Sequence, residues 1–300
     1  MNTVSFPGLG LTLPMDPIAL RVLGWPIHWY GVIIALGFLL AVGYCSRVSH
    51  RYGITQDDMM DMLLYAVPLA ILGARLYYVI FYLDLYRGEN GSLDYRGMIR
   101  IWDGGLAIYG GILTAVAVVL VFCLRRGIRV LAFWDLGAFG LLIGQAVGRW
   151  GNFVNMEAYG GPTDLPWRMG VYGWVDGVWT YLEVHPTFLY ESLWNLTGLA
   201  LLVFLVAPRR SFDGQIFFHY VAWYGLGRTW IEGLRSDSLY LFHTGLRVSQ
   251  CLALLSCLGA AVWLILQYRK PHDPRDLWVN TDACRARMEA QKEKEDGKHD

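Results

Sequence analysis

The 300-residue chain is poor in charge. Asp, Glu, Lys and Arg make up 17% of it, where a soluble protein carries about 25%, so an ordinary water-facing surface is not expected. Acidic and basic residues number 25 each. The formal net charge is zero, and no bulk attraction to nucleic acid or acidic partners follows. The five cysteines (Cys45, Cys123, Cys251, Cys257, Cys284) are odd in number and form no CxxC pair, which argues against a disulfide framework or a zinc site. Four lie in or beside apolar runs and read as small buried hydrophobes. The first 25 residues lack a basic stretch followed by an apolar core and a small-residue cleavage site, so no removable signal peptide is expected. No internal repeat or low-complexity tract is evident, which weakens a transporter built from inverted halves.

What the chain has is apolar length. Seven runs can each cross a bilayer core of roughly 30 Å, which takes about 20 residues of helix: 27–46, 59–82, 104–124, 130–149, 186–207, 214–234 and 248–268. A helix is the open-ended element that satisfies its own backbone in lipid. The predicted fold class is an all-α integral membrane protein of about seven transmembrane helices with a small extracytoplasmic head. The 13 Trp and 18 Tyr suit rings seated at lipid headgroups. Arg47 and Arg51, then Arg125, Arg126 and Arg129, then Arg209 and Arg210, then Arg269 and Lys270 crowd alternate short links. Basic density of this kind marks the cytoplasmic side, although Arg87, Arg96, Arg100, Arg168 and Arg247 are spread through the opposite, longer loops. The assignment puts the N-terminus outside and the C-terminus in the cytoplasm. Three divisions are expected: an N-terminal extracytoplasmic arm over 1–26, suited to lying along a membrane surface; a seven-helix transmembrane domain over 27–270, with 150–185 as an extracytoplasmic insertion; and a charged cytoplasmic tail over 271–300, expected as a frayed helix.

The polar residues inside these runs stand out. The spans hold Asp61 and Arg75, Asp135, Glu191, and Arg228 with Glu232. A charge at mid-span costs at least about 2.5 kcal/mol and marks function or a wet cavity. In span four, Gly140, Gly144 and Gly148 recur on one face, a pattern that lets a neighbouring helix approach closely. Arg149, Asn152, Asn155 and Glu157 then arrive as the run ends, with Gly151, Gly160 and Gly161 among them. Glycines there permit turns other residues resist and bare N–H groups that can face an anion. In span six, Tyr224, Arg228 and Glu232 share one face at intervals of four, and Arg235 extends the stripe. An Arg228–Glu232 ion pair hiding two charges from lipid is the bland account. Two arginine-bearing ends on one side of the membrane point further. A guanidinium grips phosphate oxygens with a planar fork and keeps its charge, and the phosphate at that depth belongs to a lipid. Residue types and spacing thus reach a phospholipid-handling membrane protein.

The stretch "GRWGNFVNMEAYG" closely resembles the signature of the prolipoprotein diacylglyceryl transferase family. "HWYG" (28–31), "WDGGLAIYGG" (102–111), "HPTFLYE" (185–191) and "YGLGRTWIEGLR" (224–235) agree in order, and the resemblance covers roughly residues 25–270. It implies transfer of the diacylglyceryl group of phosphatidylglycerol to the lipobox cysteine thiol of a prolipoprotein signal peptide, with release of glycerol-1-phosphate. The reaction belongs to the outer face of the bacterial cytoplasmic membrane and needs no metal or organic cofactor. Matched by motif position, Arg149 and Arg228 grip the lipid phosphate, and Asn152 and Gly160 shape the site. Glu157 and Glu232 position the arginines or the headgroup. Tyr30 falls on the family's tyrosine in the first span, with His28 beside it, and Tyr224 and Arg235 extend the span-six match. His185 and Glu191 match a motif to which no role is assigned.

One position departs from the pattern. Many members carry a histidine, proposed as catalytic base, where this chain has Tyr109. A phenol with a pKa near 10 is a poor base at neutral pH unless cations lower it, and an interfacial anchor is the alternative reading of Tyr109. The thiol proton could pass to Glu157, to Tyr109 or to the departing phosphate, and the sequence does not choose. A phospholipid transporter or scramblase fits the same buried arginines without forming a covalent product. An intramembrane protease lacks its serine–histidine or paired-aspartate arrangement here.

Overall fold

A computed structural model describes residues 2–88, 92–175, 177–235 and 247–296. In chain order the elements are β1 (Asn2–Phe6), β2 (Leu11–Met15), β3 (Ile18–Val22), β4 (Trp25–His28), α1 (Trp29–Val48), α2 (Gln56–Phe81), α3 (Tyr95–Ile99), α4 (Ile108–Arg126), α5 (Val130–Asn155), β5 (Met169–Val175), β6 (Val178–Val184), α6 (Thr187–Leu201), α7 (Gln215–Leu234), α8 (Val248–Tyr268) and α9 (Asp282–Asp296). Among the described residues six helical stretches are long and apolar enough to cross a membrane: Trp29–Tyr52, Gln56–Phe81, Ile108–Arg126, Val130–Asn155, Thr187–Arg209 and Val248–Tyr268. The molecule is mostly helical and built as an integral membrane protein. At 20 residues α7 is of span length, but it is less apolar than those six. Contacts divide the chain into two compact units, 1–47 with 134–277, and 48–133 with 278–300.

The first unit contains β-structure that the all-α expectation lacks. β1, β2, β5 and β6 form one antiparallel sheet in the order β2-β1-β5-β6, and β3 pairs with β4 in a separate hairpin. The arm at the N-terminus and the 150–185 insertion are therefore parts of one sheet, joined where Ser5 faces Gly170. Side chains alternate across a strand. Val4, Met169, Val171 and Val184 turn inward against Phe153 of α5 and Phe188 of α6, whose rings stack at 4.5 Å. That core fastens the sheet to two helix ends.

The glycine face of α5 receives α1. A Cβ on Gly140 would lie 3.2 Å from Cys45 Sγ, one on Gly148 3.3 Å from Ile34, and one on Gly151 2.9 Å from the Tyr30 ring. Small residues thus serve close helix approach. Buried Asp135 of α5 accepts the backbone N–H groups of Gly214 and Phe217 at 2.8 and 2.9 Å. It caps the start of α7 from another helix, satisfying donors a helix cannot pair itself. α6 continues through a π-turn, Leu202–Val206, and a 3-10 turn, Ala207–Arg209.

In the second unit, α2 opens on a Thr55–Asp58 capping box, which starts it at Gln56 rather than 59. Gly73 and Gly110 bring α2 and α4 together, since a Cβ on Gly110 would lie 2.5 Å from the Gly73 carbonyl oxygen. α4 begins at Ile108, not 104, because Gly104 and Gly105 take φ of 87° and 75°, outside any helix. The expected frayed tail is instead packed. Trp278 and Cys284 are buried, and the Trp278 indole donates to the Gly53 carbonyl at 3.2 Å. Arg287 of α9 donates to the Arg126 carbonyl at 2.9 Å and pairs with buried Asp58. A buried carboxylate needs a partner, and the tail supplies it. Residues 297–300 lie outside the described residues.

Candidate functional site

α5 ends in an unusual turn. Met156 and Ala158, on either side of Glu157, adopt φ of 52° and 56°. This left-handed conformation costs a non-glycine residue about 1–2 kcal/mol, and such residues gather at functional sites when their surroundings hold them. Here the Glu157 N–H donates to the Asn152 carbonyl at 3.0 Å, and the Thr187 hydroxyl donates to the Ala158 carbonyl at 2.5 Å. The Glu157 side chain is aimed back along the helix, where its Oε1 accepts the Asn152 amide at 2.9 Å and the Asn155 amide at 3.4 Å. Asn152 Oδ1 in turn accepts from Arg149 Nη1 at 3.1 Å. One polar chain, Arg149–Asn152–Glu157, thus follows the end of α5.

A short glycine strap ties this turn to two other elements. The Gly160 N–H donates to the His185 carbonyl at 2.9 Å, His185 N–H to the Gly161 carbonyl at 3.1 Å, and Gly161 N–H to the Leu234 carbonyl at 2.7 Å. Gly160 also bridges to Arg235 at the end of α7. A Cβ on Gly160 would stand 2.6 Å from His185 Cβ and 2.9 Å from the Leu234 oxygen. Close backbone approach, not a special φ, is what this glycine serves. Burial pushes the His185 pKa down, so its ring is neutral at neutral pH and adds no charge nearby. Its Nδ1 lies 3.3 Å from the Tyr190 hydroxyl.

The centre of the site is a cluster of three arginines and two glutamates from α5, α6 and α7. Arg149 Nη2 lies 2.6 Å from Glu191 Oε2, and Arg228 Nη1 donates to Glu191 Oε1 at 2.8 Å. Arg228 Nη2 also pairs with Glu232 Oε2. Ser249 of α8 donates to Glu232 Oε1 at 2.6 Å. Arg235 stands 3.8 Å from Glu191 and 4.0 Å from Glu232. The arginine side chains are 20%, 15% and 13% exposed, against 3% for Glu191, so the cations and not the central carboxylate can meet a ligand. Guanidinium groups gathered at one place suit phosphate oxygens, which each can meet with a planar fork. A guanidinium carries more N–H donors than these contacts use.

Of the expected site residues, Arg149, Asn152, Glu157, Gly160, Arg228, Glu232 and Arg235 come together. Tyr224 lines the same small cleft as Glu191 and Arg228. The Tyr30 ring seats on Gly151, next to the Arg149 turn. His28 ends β4 opposite Ile18 and is exposed. Tyr109 stands in the first turn of α4, 41% exposed, in the second unit. Glu191, like His185, belongs to the motif to which no role is assigned from the sequence. Its signal was a carboxylate inside an apolar run, and its meaning depends on which arginines it meets. Among the described residues no group of His, Cys, Asp or Glu gathers to hold a metal ion.

Comparison with known proteins matches residues 17–266 to the family model described as prolipoprotein diacylglyceryl transferase. Relatives named phosphatidylglycerol–prolipoprotein diacylglyceryl transferase cover nearly the full chain. The protein of Lactiplantibacillus plantarum is 43% identical over 284 residues, 93% of this chain and 95% of its own. That of Finegoldia magna is 44% identical over 257 residues, 85% and 97% of the two chains. That of Streptococcus agalactiae is 41% identical over 263 residues, 86% and 98%.

Proposed function

The chain belongs to the prolipoprotein diacylglyceryl transferase family, and from that premise we propose that its arginine cluster carries the family's chemistry. It is a multi-pass membrane transferase of lipoprotein biosynthesis. It moves the diacylglyceryl group of phosphatidylglycerol to the lipobox cysteine thiol of a prolipoprotein, the first step of lipoprotein maturation. The sulfur attacks the glycerol carbon bonded to the phosphate oxygen. The S–C bond forms, the C–O bond breaks, and the electron pair leaves on the phosphate of glycerol-1-phosphate. Overall the thiol proton is balanced by the acid site gained by that phosphate monoester.

The observation that carries this reading is that Arg149 and Arg228 already share one anion, the Glu191 carboxylate, at 2.6 and 2.8 Å. Guanidinium groups aimed at an oxygen where charge develops are the type of element that lowers such barriers most. A cationic site also favours the thiolate over the thiol, whose free pKa is near 8.5. Glu157, through Asn152, holds Arg149, and Glu232, by direct pairing, holds Arg228. Gly160 keeps Arg235 beside them, Tyr30 and Tyr224 line the approach, and the family pattern gives His28 and Tyr109 parts in the same reaction. The nucleophile comes from the substrate, so the chain's own cysteines take no part.

The same reading makes α7 a seventh crossing, its charges facing the site and not lipid. The N-terminus lies outside, and the arginine-rich links lie in the cytoplasm. Residues 27–270 form the membrane domain, the sheet lies on the outer side, and 271–300 lie in the cytoplasm. The site opens toward the outer face of the bacterial cytoplasmic membrane. Purified protein incubated with phosphatidylglycerol and a lipobox peptide should add one diacylglyceryl unit to the peptide mass. A scramblase moves lipid with no such adduct, and absence of the adduct would overturn the reading.

A further inference from the structure

We propose that Glu191 is a positioning residue of the transfer site, holding Arg149 and Arg228 at the spacing of a single anion before lipid arrives. The proposal rests on the transfer reading above. Two guanidinium groups repel one another, and the repulsion grows as water is excluded. Arg149 comes from α5 and Arg228 from α7, yet both reach one carboxylate, each on a different oxygen. The two oxygens of a carboxylate and two oxygens of a phosphate have similar separations. Arginines seated on the first are therefore spaced for the second.

The helix that carries Glu191 is fastened on both sides at this level. On one side Ser192 donates to the Ala146 carbonyl of α5 at 2.9 Å and accepts the Trp150 indole N–H at 3.2 Å. Those contacts bracket Arg149 in the chain. On the other side Trp194 and Trp223 stack at 4.3 Å, and each indole donates to the other residue's carbonyl at 2.9 Å. Gly227, beside Arg228, makes that seat, since a Cβ there would lie 2.2 Å from Trp194 Nε1. α6 thus ties α5 to α7 through the residues that directly follow Glu191. A carboxylate present only to neutralise charge would not require this precision, and Glu232 already neutralises Arg228.

The test uses full-length protein in nanodiscs containing phosphatidylglycerol, with a lipobox peptide as acceptor. Glu191→Gln keeps the shape and removes the charge that both arginines answer. It should melt within a few degrees of wild type, yet lose about 100-fold in kcat/KM, the scale of losing a preorganised donor. kcat should fall more than the phosphatidylglycerol KM rises, since each arginine survives but the pair is misaligned. Glu191→Asp, which retains the carboxylate, should recover at least about tenfold over Glu191→Gln. The Glu191→Gln/Arg228→Lys double variant should be little worse than Arg228→Lys alone, because groups acting as a unit are non-additive. Turnover of Glu191→Gln within about threefold of wild type, equal defects in Gln and Asp variants, or an additive double variant would each overturn the proposal. If Glu191→Gln does not fold, the cycle is run with Glu191→Asp, and additivity there is the overturning result. Active wild type with an indifferent Glu191 variant sinks this proposal alone, whereas wild type that forms no adduct sinks the transfer reading and this proposal with it.

Discussion

Arg75 and Arg228 look alike in the sequence, each an arginine inside an apolar run, and the structure treats them oppositely. Arg75 is 7% exposed and has its donors taken by backbone oxygens. Its Nε donates to Met98, Nη1 to Gly104 and Gly105, and Nη2 to Gly97, at 2.6–2.9 Å. The rings of Tyr78 and Tyr86 lie 5.9 and 5.5 Å from its charge, within cation–π range. The carbonyls it collects belong to α3 and to the Gly104–Gly105 turn before α4, and the arginine clamps the two together. Arg228 and Arg149 are held by carboxylates and an amide, with donors to spare and edges partly open. A buried cation answered by carbonyls is a structural part. One whose guanidinium edge stays partly open among carboxylates and an amide can meet an anion from elsewhere.

That contrast can be broken most directly by exchanging each arginine for lysine, which keeps charge and removes the planar fork. Arg149→Lys and Arg228→Lys should each lose about 10²–10³ in turnover while the thermal midpoint moves little. Unchanged turnover in the adduct assay would remove the bidentate argument. Arg75→Lys should behave the other way. A lysine cannot reach all four carbonyls, and leaving buried polar groups unpaired costs about 1–3 kcal/mol, so a lowered melting temperature in detergent is expected, with the phosphatidylglycerol KM changed by less than about threefold. Loss of transfer at full stability in that variant would erase the distinction between the two kinds of arginine. The smallest effect concerns the turn at Glu157. Met156→Gly and Ala158→Gly relieve about 1–2 kcal/mol of left-handed strain and give back about 0.5–1 kcal/mol in chain entropy. Stability should therefore change by no more than about 1 kcal/mol. Turnover should fall severalfold as Glu157 is freed, and full activity in the double variant would show that its aim is unimportant.

Legibility followed the range of the forces involved. α8 occupies 248–268 and α7 nearly all of 214–234, as expected, because apolar length acts locally. The start of α4 is not legible from the apolar run, because Arg75 of α2 holds the Gly104 and Gly105 carbonyls outside the helix. The sheet went unseen because β1 and β5 are far apart in the chain and each shows only a few residues of alternation. The charge of the tail suggests fraying, whereas Trp278 and Cys284 within it are buried against Gly53. Among site residues, Arg149, Asn152 and Glu157 were legible as a run. Glu191 was visible as an anomaly without a partner.

Residue types alone place this chain in a membrane, set where most of its helices run and put arginines at the ends of two of them, because burial of apolar length and the cost of a charge in lipid need no partner elsewhere in the chain. The sequence also carries the family likeness. Which buried charges meet is settled by the packing of helices. An ion pair forms over a few ångströms between residues remote in the chain, so that Glu191 bridges Arg149 and Arg228 while Arg75 closes on carbonyls is a consequence of how helices pack, and spacing along a single strand of residues does not contain it.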